Sequence, residues 1–166
     1  FEGNGETLRL KSTPEIPGYV TEILGRLVPY CQNPFLRFFY LYQVVEHLMS
    51  IELDTKVTDV RTRLNAVATP SMVQVREILD KFQDATREKT RINCALLPPC
   101  PDTTISAETL LSALNALEPD TSFAEKIYRV RNTLFHDYKE LHDKGEQISD
   151  LCQNLFAYLV GKKLLA

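Results

Sequence analysis

One stretch of the chain is apolar on nearly every side. Between Phe35 and Glu52 stand Phe35, Phe38, Phe39, Tyr40, Leu41, Tyr42, Val44, Val45, Leu48 and Met49, and no single helical stripe holds them all. A helix that is apolar around its circumference belongs inside a bundle, with other helices packed on each face. Asn33 and Pro34 precede it. Asparagine is a good N-cap and proline a good first helical residue, so the helix is expected to start there.

The rest of the chain repeats the helical period. Val20, Ile23, Leu24, Leu27 and Val28 recur at three- and four-residue steps from Tyr19 onward. After the central run, Val57, Val60, Leu64 and Val67 predict a separate, shorter helix, broken at Thr69-Pro70-Ser71. From Ser71 another amphipathic helix is expected, with Val75, Ile78, Leu79 and Phe82 on its apolar face. Glu77, Lys81, Asp84 and Arg87 mark its solvated side, and the charged run Arg87 to Arg91 its end, with RNA backbone contact the other reading of that run. Leu96 to Thr104, with three prolines, reads as a loop. Ser106 then caps a short helix through Leu117 that Pro119 ends, and Ser122 caps a helix over Phe123 to about Leu141. Past Gly145, a last helix carries Ile148, Leu151, Cys152, Leu155, Phe156, Leu159 and Val160 in register. The fold class is all-α. Residues 1–17 are polar apart from the alternating Thr7-Leu8-Arg9-Leu10, which reads as an isolated strand or a linker remnant, and one helical domain covers residues 18–166.

With 166 residues, 44% of them hydrophobic, the chain can bury a core without metal or disulfide staples. Its formal net charge of -3 argues against a broadly basic polyanion binder, while a local arginine cluster remains open. Cys31, Cys94, Cys100 and Cys152 form no Cys-x-x-Cys pair, and no histidine stands at finger spacing from them. Free thiols, buried at Cys31 and Cys152, and a cytoplasmic location are expected. No apolar run reaches the ~20 residues that cross a bilayer, so no membrane partner is expected. The chain begins at Phe1, not at methionine, which makes a domain of a longer protein the expectation.

The chemistry concentrates in Tyr128-Arg129-Val130-Arg131-Asn132-Thr133-Leu134-Phe135-His136-Asp137-Tyr138. On a helix, Phe123, Ile127, Val130, Leu134 and Phe135 form an apolar arc, and Arg131 falls inside it. Asn132 and His136, four residues apart, stack on one edge of that face. A core-facing guanidinium is costly unless paired or open to a cleft. Glu46, on the same side of its helix as Phe35, Phe39 and Tyr42, is expected to face inward and pair with it. His47 reads as an interior or edge histidine and His142 as solvated. No cluster has metal-ligand spacing, no glycine-rich phosphate loop is present, and no cofactor is expected.

Arg131-Asn132-x-x-x-His136 resembles the signature of the HEPN superfamily (higher eukaryotes and prokaryotes nucleotide-binding): an arginine, often followed by a polar residue, then a histidine after four to six positions. Pro34 to Glu46 is similar to the early aromatic helix of ApeA-like and abortive-infection HEPN domains, which ends in a glutamate. The resemblance spans roughly Tyr19 to Leu159. It implies a HEPN-type bundle of up-and-down core helices with short extra ones, and a metal-independent endoribonuclease of a defence or toxin system. In such an enzyme the RNA 2′-hydroxyl attacks the adjacent phosphodiester, leaving a 2′,3′-cyclic phosphate and a 5′-hydroxyl.

The residue types suit that chemistry. Histidine changes charge near neutrality, so His136 suits acid–base work. Arg131 can neutralise charge gathering on phosphorus through two parallel hydrogen bonds. Asn132 donates to phosphate or orients the imidazole, and Glu46 positions Arg131 from behind. The resemblance further implies a homodimer whose two motifs share a cleft, supplying a second histidine. Arg131-x-x-x-x-His136-x-Tyr138 also matches HEPN toxins partnered with nucleotidyltransferase antitoxins, in which the tyrosine receives AMP; simple packing of Tyr138 is the other reading. The rival reading of the whole chain is a non-catalytic HEPN module for dimerisation or nucleotide sensing in a larger protein.

Overall fold

Asn33 Oδ1 accepts from the backbone N–H groups of Phe35 at 2.9 Å and Leu36 at 3.3 Å, and Pro34 opens the longest helix among the described residues. In the computed structural model, which describes residues 16–66, 71–136 and 143–164, this helix (α2) runs over Pro34–Asn65. It is preceded by α1, built from Gly18–Glu22, a π-helical turn at Ile23–Leu27 and Val28–Tyr30. There follow α3 (Met72–Thr86), α4 (Glu88–Ala95), α5 (Pro101–Ala113), α6 (Phe123–His136) and α7 (Gly145–Tyr158), the last extended by a π-helical stretch at Leu159–Leu164. Among the described residues there is no strand, and the fold is all-α.

Five helices close a ring in the order α2, α4, α6, α5, α7 and back to α2, each packed on the next. Their inward residues form the core: Phe38, Leu41, Val44 and Val45 of α2, Ile92 of α4, Leu110 and Leu111 of α5, Ile127, Val130 and Leu134 of α6, and Ile148, Leu151, Cys152 and Leu155 of α7. Each such aliphatic or aromatic side chain contributes about 1.5–3 kcal/mol when taken fully from water. The outer helix α1 lays Val20, Ile23, Leu24 and Val28 onto α2.

Several boundaries differ from the sequence reading. The expected short helix after Glu52 is the continuation of α2, since no proline or glycine interrupts 52–65. Thr62 Oγ1 bonds back to Thr58 and Arg63 pairs with Asp59 along its exposed surface. Ser71 caps α3 in a reciprocal box with Gln74, yet of the expected apolar face only Ile78 is buried, while Leu79 and Phe82 lie in solvent. The helix expected to end in the charged run breaks at Arg87, whose backbone is extended, and α4 starts at Glu88. Pro101, read as loop, is the first residue of α5. Ser106 is inside α5 and accepts from Asn154 Nδ2 at 2.6 Å, and α5 ends at Ala113, well before Pro119, with Asn115 at φ 52° beyond it. Gly145 begins α7. The strand-like stretch 7–10 and residues 137–142, with Tyr138 and His142, lie outside the described residues. No described helix is long and apolar enough to cross a membrane.

Candidate phosphate-binding site

Ser122 begins α6 with a reciprocal cap: its Oγ accepts from Glu125 N–H at 3.2 Å, and its own N–H donates to Glu125 Oε2 at 3.1 Å. These bonds satisfy two of the free N–H groups at the helix start. The backbone bond from Ser122 holds the Glu125 carboxyl below its ordinary pKa. With α6 anchored there and buried along Ile127, Val130 and Leu134, the residues of the motif take fixed places near its C-terminal end.

Arg131 lies in the seam where α6 meets α2. Its guanidinium carbon stands 4.7 Å from the Phe135 ring centre and 5.8 Å from that of Tyr42. Its Nη1 donates to Asn132 Oδ1 at 2.9 Å. Its Nε is buried and has no hydrogen-bond partner among the described residues. The expectation that Arg131 falls within the apolar arc of α6 therefore holds, with aromatic rings supporting the cation.

The expected partner does not take its place. Glu46 is exposed, and no ion pair joins it to Arg131. One turn before it on α2, Tyr42 turns inward, so that an aromatic ring fills the place assigned to a carboxylate. The Tyr42 hydroxyl is buried without a hydrogen-bond partner among the described residues. Burial first, then the Glu88 carboxylate, push its pKa well above the ordinary tyrosine value, so it stays protonated. Glu88 itself accepts from Tyr128 Oη at 3.1 Å.

Asn132 is half-buried and His136, on the last turn of α6, is exposed. Among the described residues Asn132 Oδ1 accepts from Arg131, while neither Asn132 Nδ2 nor the His136 imidazole has a hydrogen-bond partner. Asn132 also lines a pocket of about 240 Å³ with Lys89, Thr121, Tyr128 and Arg129 between α4 and α6. Here Arg129 is tied to Glu118 and Lys89 to Glu125. Arg131, half-buried in the seam, has no ion pair among the described residues, and His136 stands exposed on the last turn of the same helix.

Phe135 was legible as part of the arc, but its role was not. It is 52% exposed, and its ring meets Phe39 of α2 at 4.3 Å between centres. Tyr42 and Phe39 lie four and seven residues before Glu46, on the side of the helix that the sequence had assigned to all three. The Tyr128–Glu88 bond, spanning 40 residues, had no signal in the sequence. His47 is a half-buried edge histidine, its ring 5.6 Å from Tyr19, and burial lowers its pKa. All four cysteines are free; Cys152 is buried, and Cys31 is only half-buried. Among the described residues no group of three or more His, Cys, Asp or Glu side chains converges as metal ligands would.

Comparison of the chain with family models, curated proteins and solved structures gives no match.

Proposed function

We propose that this chain is a HEPN-type endoribonuclease of a cytoplasmic defence or toxin system, cutting RNA by attack of the 2′-hydroxyl on the adjacent phosphodiester. The observation that carries the reading is the state of Arg131. Its guanidinium is braced by Asn132 and Phe135 yet carries no ion pair among the described residues. A cation fixed in place and left without a counter-charge is poised for an anion, and a planar guanidinium matches two phosphate oxygens.

The chemistry follows from the placement. Arg131 binds a non-bridging phosphate oxygen and neutralises the charge that grows as phosphorus becomes pentacoordinate. Asn132 Nδ2 donates to a second oxygen. His136, one turn away on the exposed end of α6, takes the proton from the 2′-hydroxyl or returns one to the 5′-oxygen that leaves. One imidazole cannot do both in a single concerted passage. A second copy of the chain, bringing its own α6 edge to the same cleft, completes the pair. No step requires a metal.

A second reading is a non-catalytic module that senses a nucleotide or dimerises. It is favoured by the exposed His136, since a catalytic base is ordinarily oriented by a third group, and among the described residues none bonds its imidazole.

A pentacoordinate phosphate mimic separates the two. A nucleoside–vanadate complex resembles the transition state, which an enzyme binds more tightly than it binds substrate. The ribonuclease reading expects it to bind more tightly than the parent nucleoside monophosphate, with a loss of about tenfold or more on Arg131→Ala. Equal affinity for vanadate complex and monophosphate would support the sensing module.

A further inference from the structure

A groove of about 450 Å³ runs between α1 and α2, lined by Tyr19, Ile23, Leu27, Phe39, Tyr40 and Gln43 with Glu22 at its rim. Phe39 belongs both to this groove and to the Arg131 site, because its ring touches Phe135 at 4.3 Å. The guanidinium of Arg131 lies 4.7 Å beyond that ring. The Phe39 ring centre is thus no more than about 9 Å from the guanidinium carbon, the sum of the two contacts. One nucleotide covers such a span between its phosphate and its base.

We propose that this groove between α1 and α2 holds one unpaired nucleobase of the RNA whose phosphate sits on Arg131. The inference rests on the phosphate-binding reading of Arg131. The chemistry of the lining fits a base better than a peptide or a lipid chain. Two tyrosines and a phenylalanine offer aromatic surface for a flat ring. Gln43, exposed on α2, presents both an amide donor and a carbonyl acceptor for a base edge. Glu22, the one carboxylate among the described lining residues, pairs with Arg26 at 3.2 Å, which offsets its repulsion of a phosphate chain. Within a paired helix the base faces are stacked and its pairing edge is occupied, so only a splayed base can enter.

The test uses the full chain and a single-stranded hexanucleotide with 2′-deoxyribose throughout, which cannot undergo 2′-hydroxyl attack. Its affinity is compared with that of the same strand carrying one abasic residue, moved along the strand position by position. The proposal expects one abasic position to weaken binding about tenfold. That loss should disappear in Tyr19→Ala/Gln43→Ala, whose two side chains are exposed. Equal affinity for intact and abasic strands at every position overturns it, as does absence of binding. If Arg131→Ala weakens the intact strand while no abasic position does, the groove assignment fails and the phosphate site stands. If an abasic position matters and Arg131→Ala does not, the base site stands and the phosphate reading fails. Loss of a dimer by sedimentation in Tyr19→Ala/Gln43→Ala, with no abasic effect, would make the groove a contact between copies and overturn the proposal.

Discussion

Arg131 donates to its own neighbour Asn132 at 2.9 Å and to no carboxylate among the described residues. A buried structural ion pair and a waiting anion site respond oppositely to loss of the cation. Breaking a buried pair typically costs about 3–5 kcal/mol, because a buried partner is left unpaired. Arg131→Met keeps an unbranched side chain between Phe135 and Tyr42 and removes a buried Nε that bonds to nothing described. We therefore expect its stability to stay within about 1 kcal/mol of the parent, by urea unfolding, while nucleotide binding is lost. A loss of about 3 kcal/mol or more would mark Arg131 as structural.

The cap of α6 positions the site. Ser122→Ala removes the hydroxyl that accepts from Glu125 N–H and should cost about 1 kcal/mol, read as a lower urea midpoint at unchanged slope. The same hydroxyl donates to Asn93 Oδ1 at 2.8 Å, so Ser122→Asp, which caps as well as serine but cannot donate that bond, should recover only the capping part of the loss. Should both variants lose the same amount, capping is not what Ser122 provides.

A pH dependence follows from His47. Burial beside Tyr19 lowers its folded pKa below the ordinary value of about 6.5. The unfolded chain then takes up the proton first. Stability is unaffected above that value, falls as pH drops through it, and levels off below the folded pKa. Unfolding midpoints between pH 7.5 and 5.5 should decline in the parent and decline less in His47→Phe. Parallel declines would place the titrating group elsewhere.

Burial pushes the Cys152 thiol up to about 12 and removes it from water. The thiolate is the reactive form, so a thiol reagent at pH 8 should label Cys31, Cys94 and Cys100 first and reach Cys152 only on unfolding. Mass mapping of the labelled peptides checks the order. Early labelling of Cys152 would contradict its place in the core.

The caps were the most legible features of the sequence. Asn33-Pro34, Ser71 and Ser122 each announced a helix start, because a side-chain acceptor at a helix N-terminus works locally, whereas Ser106, read as a cap, stands inside α5. Helix ends were harder. The polar surface of 52–65 looked like a new element, but with no proline or glycine in it the helix simply continues beyond the ring. Pro101 was taken for loop although proline is at home in a first turn. Within the site, the arc placed Arg131 correctly, since that placement depends on one helix. Glu46 failed because its partner depended on how α2 is turned against α6, which is set by packing among five helices. Tyr42 occupies that position instead.

The most direct test of the account is cleavage of a mixed tRNA, rRNA and mRNA substrate in EDTA, comparing the chain with His136→Ala and analysing the product ends. The account predicts 2′,3′-cyclic phosphate and 5′-hydroxyl ends, with the rate reduced about a hundredfold or more in the variant at matching urea midpoints. RNA left intact by the folded parent chain, or cut equally fast by His136→Ala, would contradict it.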